Sequence, residues 1–196
     1  MSNARRIDTA ECSKMVRKAL KNAFPGHKFS VKTSRYSGGS SVDVNWTDGP
    51  TLDEVQKVAK RFEGASFDGM VDLKSHHDSL LSNEDGSVER VSFGADYVIC
   101  QRGMSDGRRD EIAAELVEFH NGIADVYNWT PITLDDARSY AKGVPCNAVR
   151  PSDSSDGEAH FSVDNHSGNF ALNLVYRVFS YRSFKPAPKA EKVSVK

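Results

Sequence analysis

The stretch from Gly38 to Ser105 constrains this chain most. Near its start, Val42, Val44 and Trp46 alternate with Ser41, Asp43 and Asn45. Period-two alternation puts the three apolar residues on one face of a strand. Asp48-Gly49-Pro50 ends that strand, since proline cannot donate to a ladder and Asp-Gly favours a turn. Thr51 and Glu54 have capping-box spacing, and Leu52, Val55, Val58, Ala59 and Phe62 recur behind them at helical intervals. Gly64 suits the left-handed residue that closes many helices. Phe67-Asp68-Gly69-Met70 predicts a tight turn. Val88 to Cys100 predicts an extended segment with Val91, Phe93, Tyr97 and Ile99 inward and a bulge at Gly94-Ala95-Asp96. Strand, turn, helix, turn and strand succeed one another with little slack.

The flanks extend the pattern. Asp8 to Phe24 predicts a helix, with Asp8 and Glu11 as a capping box and Cys12, Met15, Val16, Ala19, Leu20, Ala23 and Phe24 on one face. Pro25-Gly26 stops it. Lys28 to Ser34 alternates as a strand that should pair antiparallel with Ser41–Thr47 across the turn Arg35–Gly39. His76 to Ser87 is polar and aperiodic, the pattern of a loop or hairpin tip. Ser105 or Asp106 should cap a helix running to about Gly122, with Ile112, Ala113, Leu116 and Phe119 inward. Further on, a short helix is expected from Thr133 to near Gly143, a loose segment from Pro151 to Glu158, and a long strand from Phe170 to Ser180.

The predicted class is α+β: a small, mainly antiparallel sheet with helices packed on one face. Residues 1–104 form the module. Residues 105–184 are an extension of helices and one long strand packed on the same core. Residues 185–196, rich in Lys and Pro and poor in apolar side chains, are expected to be disordered.

One ordered set of motifs carries a family resemblance. It comprises Phe24-Pro25-Gly26, Phe29-Ser30-Val31, Gly39-Ser40-Ser41-Val42-Asp43-Val44, Trp46-Thr47-Asp48-Gly49-Pro50, Phe62 through Met70, and Gly94-Ala95-Asp96-Tyr97-Val98. From about Ala10 to about Met104 the chain resembles the large polyvalent protein-associated domain of type 29. The resemblance implies a compact α+β module of bacteriophage and conjugative-element proteins. In very large polyvalent proteins such modules sit beside domains thought to blunt host defences or process DNA. It brings no established activity, no cofactor and no catalytic residues.

Several classes are excluded by simpler counts. No apolar run approaches the roughly 18 residues of a membrane span. Met1 to Arg6 has no hydrophobic segment behind it, so no secretory signal is read. Cys12, Cys100 and Cys146 are scattered and odd in number, which argues against a disulfide framework and a structural zinc site. These features predict a cytosolic protein with reduced thiols, and the family resemblance implies the cytoplasm of a bacterial host. Net charge is −1, yet residues 1–37 carry nine Lys and Arg against two Asp and Glu, and residues 38–96 carry five against twelve. Such asymmetry governs how a protein meets partners.

The basic segment is the strongest candidate site. Lys14, Arg17, Lys18 and Lys21 share the polar face of the first helix, Lys28 and Lys32 the polar face of the following strand, and Arg35 and Tyr36 lie at its turn. Clustered cations suit phosphates, and an exposed tyrosine can stack on a base. The plain alternative is a solvated helix face. Asp43, Asp48, Asp68, Asp72 and Asp96 form a loose acidic series, but turn and strand-face roles account for most of them. His160, Asp164 and His166 have a spacing common by chance, and no cysteine is near. Cys100 lies in the most apolar strand and reads as an inert thiol. Gly38-Gly39-Ser40-Ser41 lacks the lysine and following helix of a phosphate loop. No catalytic or metal residues are assigned. The reading is of a non-catalytic binding module that contacts nucleic acid or a host nucleic-acid-associated complex. An inhibitor of a host defence enzyme, or an enzyme with an unrecognised site, is the alternative.

Overall fold

The computed structural model describes residues 4–68, 70, 73–82, 86–138, 145–152 and 160–186; of residues 68, 145–152 and 160–173 it describes the backbone alone. The elements are, in order, β1 (Arg5–Ile7), α1 (Thr9–Ala23), β2 (Ser30–Tyr36), β3 (Gly39–Thr47), α2 (Leu52–Ala59), a 3-10 turn (Lys60–Phe62), β4 (Ala65–Asp68), β5 (Leu73–His76), β6 (Ser79–Ser82), β7 (Val88–Phe93), β8 (Tyr97–Gly103), α3 (Asp106–Tyr127), α4 (Leu134–Arg138), β9 (Pro145–Ser152), β10 (His160–Phe170) and α5 (Ala171–Tyr181). The class is α+β, with small, mostly antiparallel sheets. No helix of the described residues is long and apolar enough to cross a membrane.

The chain forms two compact units. One comprises residues 1–46, 52–102 and 186–196, the other residues 47–51 and 103–185. The sequence places the extension on the same core as the module. The buried apolar side chains of the described residues instead fall into two clusters, one in each unit. The expected tail lies, from residue 187 on, outside the described residues.

In the first unit β2 and β3 pair antiparallel, with Val31 opposite Val44, Thr33 opposite Val42 and Tyr36 opposite Gly39. β8 lies on the other side of β3. It runs in the same direction as β3: the Asp96 N–H donates to the Ser40 carbonyl at one end, and the Asp48 N–H donates to Gly103 at the other. α1 packs against β2 and α2. Asp8 caps α1 by accepting from the Glu11 N–H. Cys12, Val16 and Leu20 are buried with Val31, Val42, Val44, Trp46 and Val55. Phe29 sits between Phe24 and Trp46, with ring centres 5.9 and 5.8 Å away. A second three-stranded sheet has the order β1-β7-β6, with β1 parallel and β6 antiparallel to β7. β4 and β5 form a separate antiparallel pair.

The second unit buries Ile112, Ala113 and Leu116 of α3 with Ala137 of α4 and Leu174, Val175, Val178 and Phe179 of α5. Ser105 caps α3 by accepting from Arg108, and its own N–H and hydroxyl donate to Asp48, at 3.0 and 2.7 Å. β9 and β10 form an antiparallel hairpin.

Further expectations need correction. Gly64 is not left-handed; among the described residues the glycines with positive φ are Gly26, Gly38, Gly49 and Gly86. Residues 171–181 are a helix, not a strand: Leu174, Val175, Val178 and Phe179 are buried while Tyr176, Arg177 and Ser180 are exposed. That run is apolar enough to fit both periods, so periodicity alone does not decide it. Residues 79–82 are a strand, so only the tip of the expected 76–87 loop is irregular. Beyond the break at Gly94–Asp96 the inward residues are Val98 and Cys100, not Tyr97 and Ile99.

Candidate nucleic-acid interface

Lys14, Arg17, Lys18 and Lys21 fall on one exposed stripe of α1, because positions three and four apart share a helix face. β2 is the edge strand of its sheet and runs beside α1. The Arg17 guanidinium donates to the Val31 carbonyl at 2.8 Å, which fixes the stripe alongside the β2 edge. An edge strand leaves backbone groups unpaired, and Arg17 satisfies one of them.

The rest of the predicted set divides by strand alternation. Arg35 shares the α1-facing side of the sheet with Val31 and Thr33. Lys32 and Tyr36 lie on the opposite face, and Lys28 stands two residues before the strand. All eight predicted residues are exposed. Thus the structure brings the helix cations together and splits the strand set: Arg35 is on the α1 side of the sheet, Lys32 and Tyr36 on the other.

Among the described residues several other cations of this unit are ion-paired, whereas Arg6, Lys60 and Arg61, outside the predicted set, are not. Arg5 meets Glu11 and Glu89, Lys57 meets Asp53, Lys74 meets Asp96 and Arg90 meets Asp78. Among the described residues no carboxylate lies within 4 Å of Lys14, Lys21, Lys28, Lys32 or Arg35. Lys32 does have Asp43 as its register partner across the ladder. The acidic series is largely used internally: Asp43 accepts from the Ser41 hydroxyl, Asp48 holds Ser105, and Asp96 holds Lys74. Asp68 and Asp72, as side chains, lie outside the described residues, as do His160, Asp164 and His166. No group of three potential metal ligands occurs among the described residues.

Residues the sequence leaves without a role gather at the end of the sheet. The Asp96 carboxylate, 6% exposed, accepts from the Ser40 N–H at 2.9 Å and from Lys74 Nζ at 2.8 Å. His76 Nδ1 is 3.7 Å from its other oxygen. Burial pushes the Asp96 carboxyl up, but Lys74, the Ser40 N–H and His76 outweigh it and hold the group below the usual aspartate range. Lys74 also donates to the Gly38 carbonyl at 3.2 Å and lies 5.8 Å from the Tyr97 ring centre. A Cβ at Gly39 would fall on the Asp96 carboxylate and 2.9 Å from the Tyr36 ring, so glycine is what lets those groups close in. Lys74 belongs to no motif. Tyr97 and Ile99 were legible as an alternating pair, but their face was assigned the wrong way round.

Comparison with curated proteins and with solved structures finds no match. Residues 7–105, half of the chain, match the model of large polyvalent protein associated domain 29, covering β1 through β8, and the chain belongs to that family.

Proposed function

We propose that this chain is a non-catalytic nucleic-acid-binding module of phage or mobile-element origin, acting in the bacterial cytoplasm. Its contact surface is the α1 stripe with the adjoining β2 edge. The observation that carries the reading is the clustering of exposed cations on α1 and β2: among the described residues Lys14, Lys21, Lys28, Lys32 and Arg35 have no carboxylate within 4 Å. An unpaired, exposed cation keeps its full attraction for phosphate and releases condensed counterions when it binds. Recognition of this kind is sequence-tolerant, because phosphates carry no base information.

The test is fluorescence anisotropy on labelled single-stranded and duplex DNA and RNA across a salt series. Affinity should fall steeply with salt, with a slope of about 0.9 per phosphate contacted on duplex DNA and about 0.7 on single strands. Lys14→Glu, Lys18→Glu and Lys21→Glu together should abolish binding without unfolding α1, since all three are exposed. Absence of binding to every probe at low salt and about 100 µM protein would remove the reading, because even non-specific binders reach that range.

A further inference from the structure

The sheet β2-β3-β8 has a second face, turned away from α1. Strand alternation places Ser30, Lys32, Ser34 and Tyr36 on it from β2, with exposed Lys28 two residues before the strand, and Gly39, Ser41, Asp43 and Asn45 from β3, of which Ser41 is buried. Val98 is buried in the core and Cys100 packs against that core, so Tyr97, Ile99 and Gln101 of β8 point the other way, onto this face. Two rings therefore stand at one end of it, Tyr36 on one outer strand and Tyr97 on the other, with side-chain-free Gly39 on the strand between. Tyr36 is 48% exposed and Ile99 45%. Lys28, Ser30, Lys32 and Gln101 are exposed as well.

We propose that this face is a single-strand platform, on which bases of unpaired nucleic acid stack against Tyr36 and Tyr97 while Lys28 and Lys32 approach the backbone. The inference rests on the nucleic-acid reading above and narrows it from phosphate contact in general to single strands. A sheet face carrying one exposed ring, Tyr36, and one half-buried ring, Tyr97, suits unstacked bases, because every base has a π-face to offer. A duplex hides those faces, so the platform adds nothing to duplex binding.

The occupant follows from charge and shape together. Lys28 and Lys32 are without a carboxylate within 4 Å among the described residues, so the face favours a polyanion. The apolar groups on it are rings and one isoleucine spread across strands rather than a packed patch, the layout expected for successive planar ligands. Asp43 also lies here; its half-buried carboxylate accepts from Ser41. An acceptor in that position suits the amino edge of cytosine or adenine better than a phosphate. Lys74, held by Asp96 and Gly38 with its Nζ 5.8 Å from the Tyr97 ring centre, forms a latch beside that ring.

The experiment compares the full chain with Tyr97→Leu, Tyr97→Phe and Tyr36→Leu, using labelled 20-mers of oligo(dT) and oligo(dA) and a 20-base-pair duplex. The ratio of single-strand to duplex affinity should fall at least about fivefold in each Leu variant, the lower end of the loss on removing a stacked ring. Tyr97→Phe keeps the ring and should restore the ratio. Amide shifts of the wild type with oligo(dT) should move along β2, β3 and β8, a readout that needs no variant. Duplex binding lost in the α1 triple-Glu variant, together with an unchanged ratio in the Leu variants and unmoved β8 amides, would overturn the platform and leave the α1 reading standing. Failure of the wild type to bind any probe would remove both.

Discussion

Replacing Asp96 tests the most connected side chain of the first unit. Its carboxylate accepts from the Ser40 N–H and from Lys74, and it is buried. Asp96→Ala leaves the Ser40 N–H without its acceptor, which costs about 1–3 kcal/mol for a buried donor. Loss of the Lys74 pair adds up to about 1 kcal/mol, kept small because the lysine is partly solvated. The expected loss is therefore about 1–4 kcal/mol. Asp96→Asn keeps an oxygen for Ser40 and forfeits only the charge, so it should lose about 1 kcal/mol. The assay is urea denaturation in a Trp129→Phe background, where emission from buried Trp46 reports this unit. Acid adds a second signature. The Asp96 pKa is lower folded than unfolded, so its contribution is complete above the usual aspartate value near 3.9 and is lost as pH falls through the folded value. Wild type should lose stability more steeply than Asp96→Asn between about pH 5 and pH 2. If Ala and Asn variants both melt within about 0.5 kcal/mol of wild type, the carboxylate is not the Ser40 acceptor and the latch reasoning fails.

Other outcomes follow from single positions. Trp46→Ala should cost about 3–5 kcal/mol in the same melts, given its burial against Phe29. Gly39→Ala should destabilise by crowding Asp96 and Tyr36, whereas Gly38→Ala meets open space and should cost only about 1–2 kcal/mol for its positive φ of 91°. Truncation of the chain at residue 184 should leave the thermal midpoint of the first unit unchanged, as read by calorimetry, because the tail has few apolar groups to bury. Burial pushes the Cys100 thiol up to about 11. In a Cys12→Ser, Cys146→Ser background it should react with iodoacetamide at pH 8 roughly a hundredfold more slowly than an unfolded control.

The hairpin, α1, α2 and the Ser105 cap were legible because each had two concordant signals: a period and a stop. Val31, Val44 and Trp46 show the alternation that their burial requires. Failure began where one signal stood alone. The face of Tyr97 was misread because the break at Gly94–Asp96 shifts the strand phase; the sequence signals a bulge there but not that the inward positions move to Val98 and Cys100. Phe170 to Ser180 was misread because a dense apolar run satisfies periods of two and of 3.6 alike. Among the candidate site residues, the α1 stripe was readable from spacing. The split of β2 across two faces was equally implicit in Arg35 against Lys28 and Lys32, since odd and even positions of a strand part company. Lys74 was not readable at all: its importance comes from a carboxylate 22 positions later that only the fold brings near.

The short break at Gly94–Asp96 also has a temporal meaning. Its backbone is gripped from five places: Gly94 N–H by Ile7, the Gly94 carbonyl by Thr9 and Ser40, Asp96 N–H by the Ser40 carbonyl, Ala95 by Gly64 and the Asp96 carbonyl by Ala65. During synthesis every one of those partners leaves the ribosome before the segment that joins them. α1 and the β2–β3 hairpin can form early, since helices and hairpins close in microseconds while translation adds about 5–20 residues per second. Until residues 88–93 emerge β1 has no β7 to lie against, and until Asp96 emerges the Ser40 N–H has no carboxylate. The nascent chain therefore spends several seconds with its apolar faces drawn up but unsealed. Closure should come as one late event: stalled chains exposing residues 1–93 should be digested readily by protease, and those exposing residues 1–104 should resist.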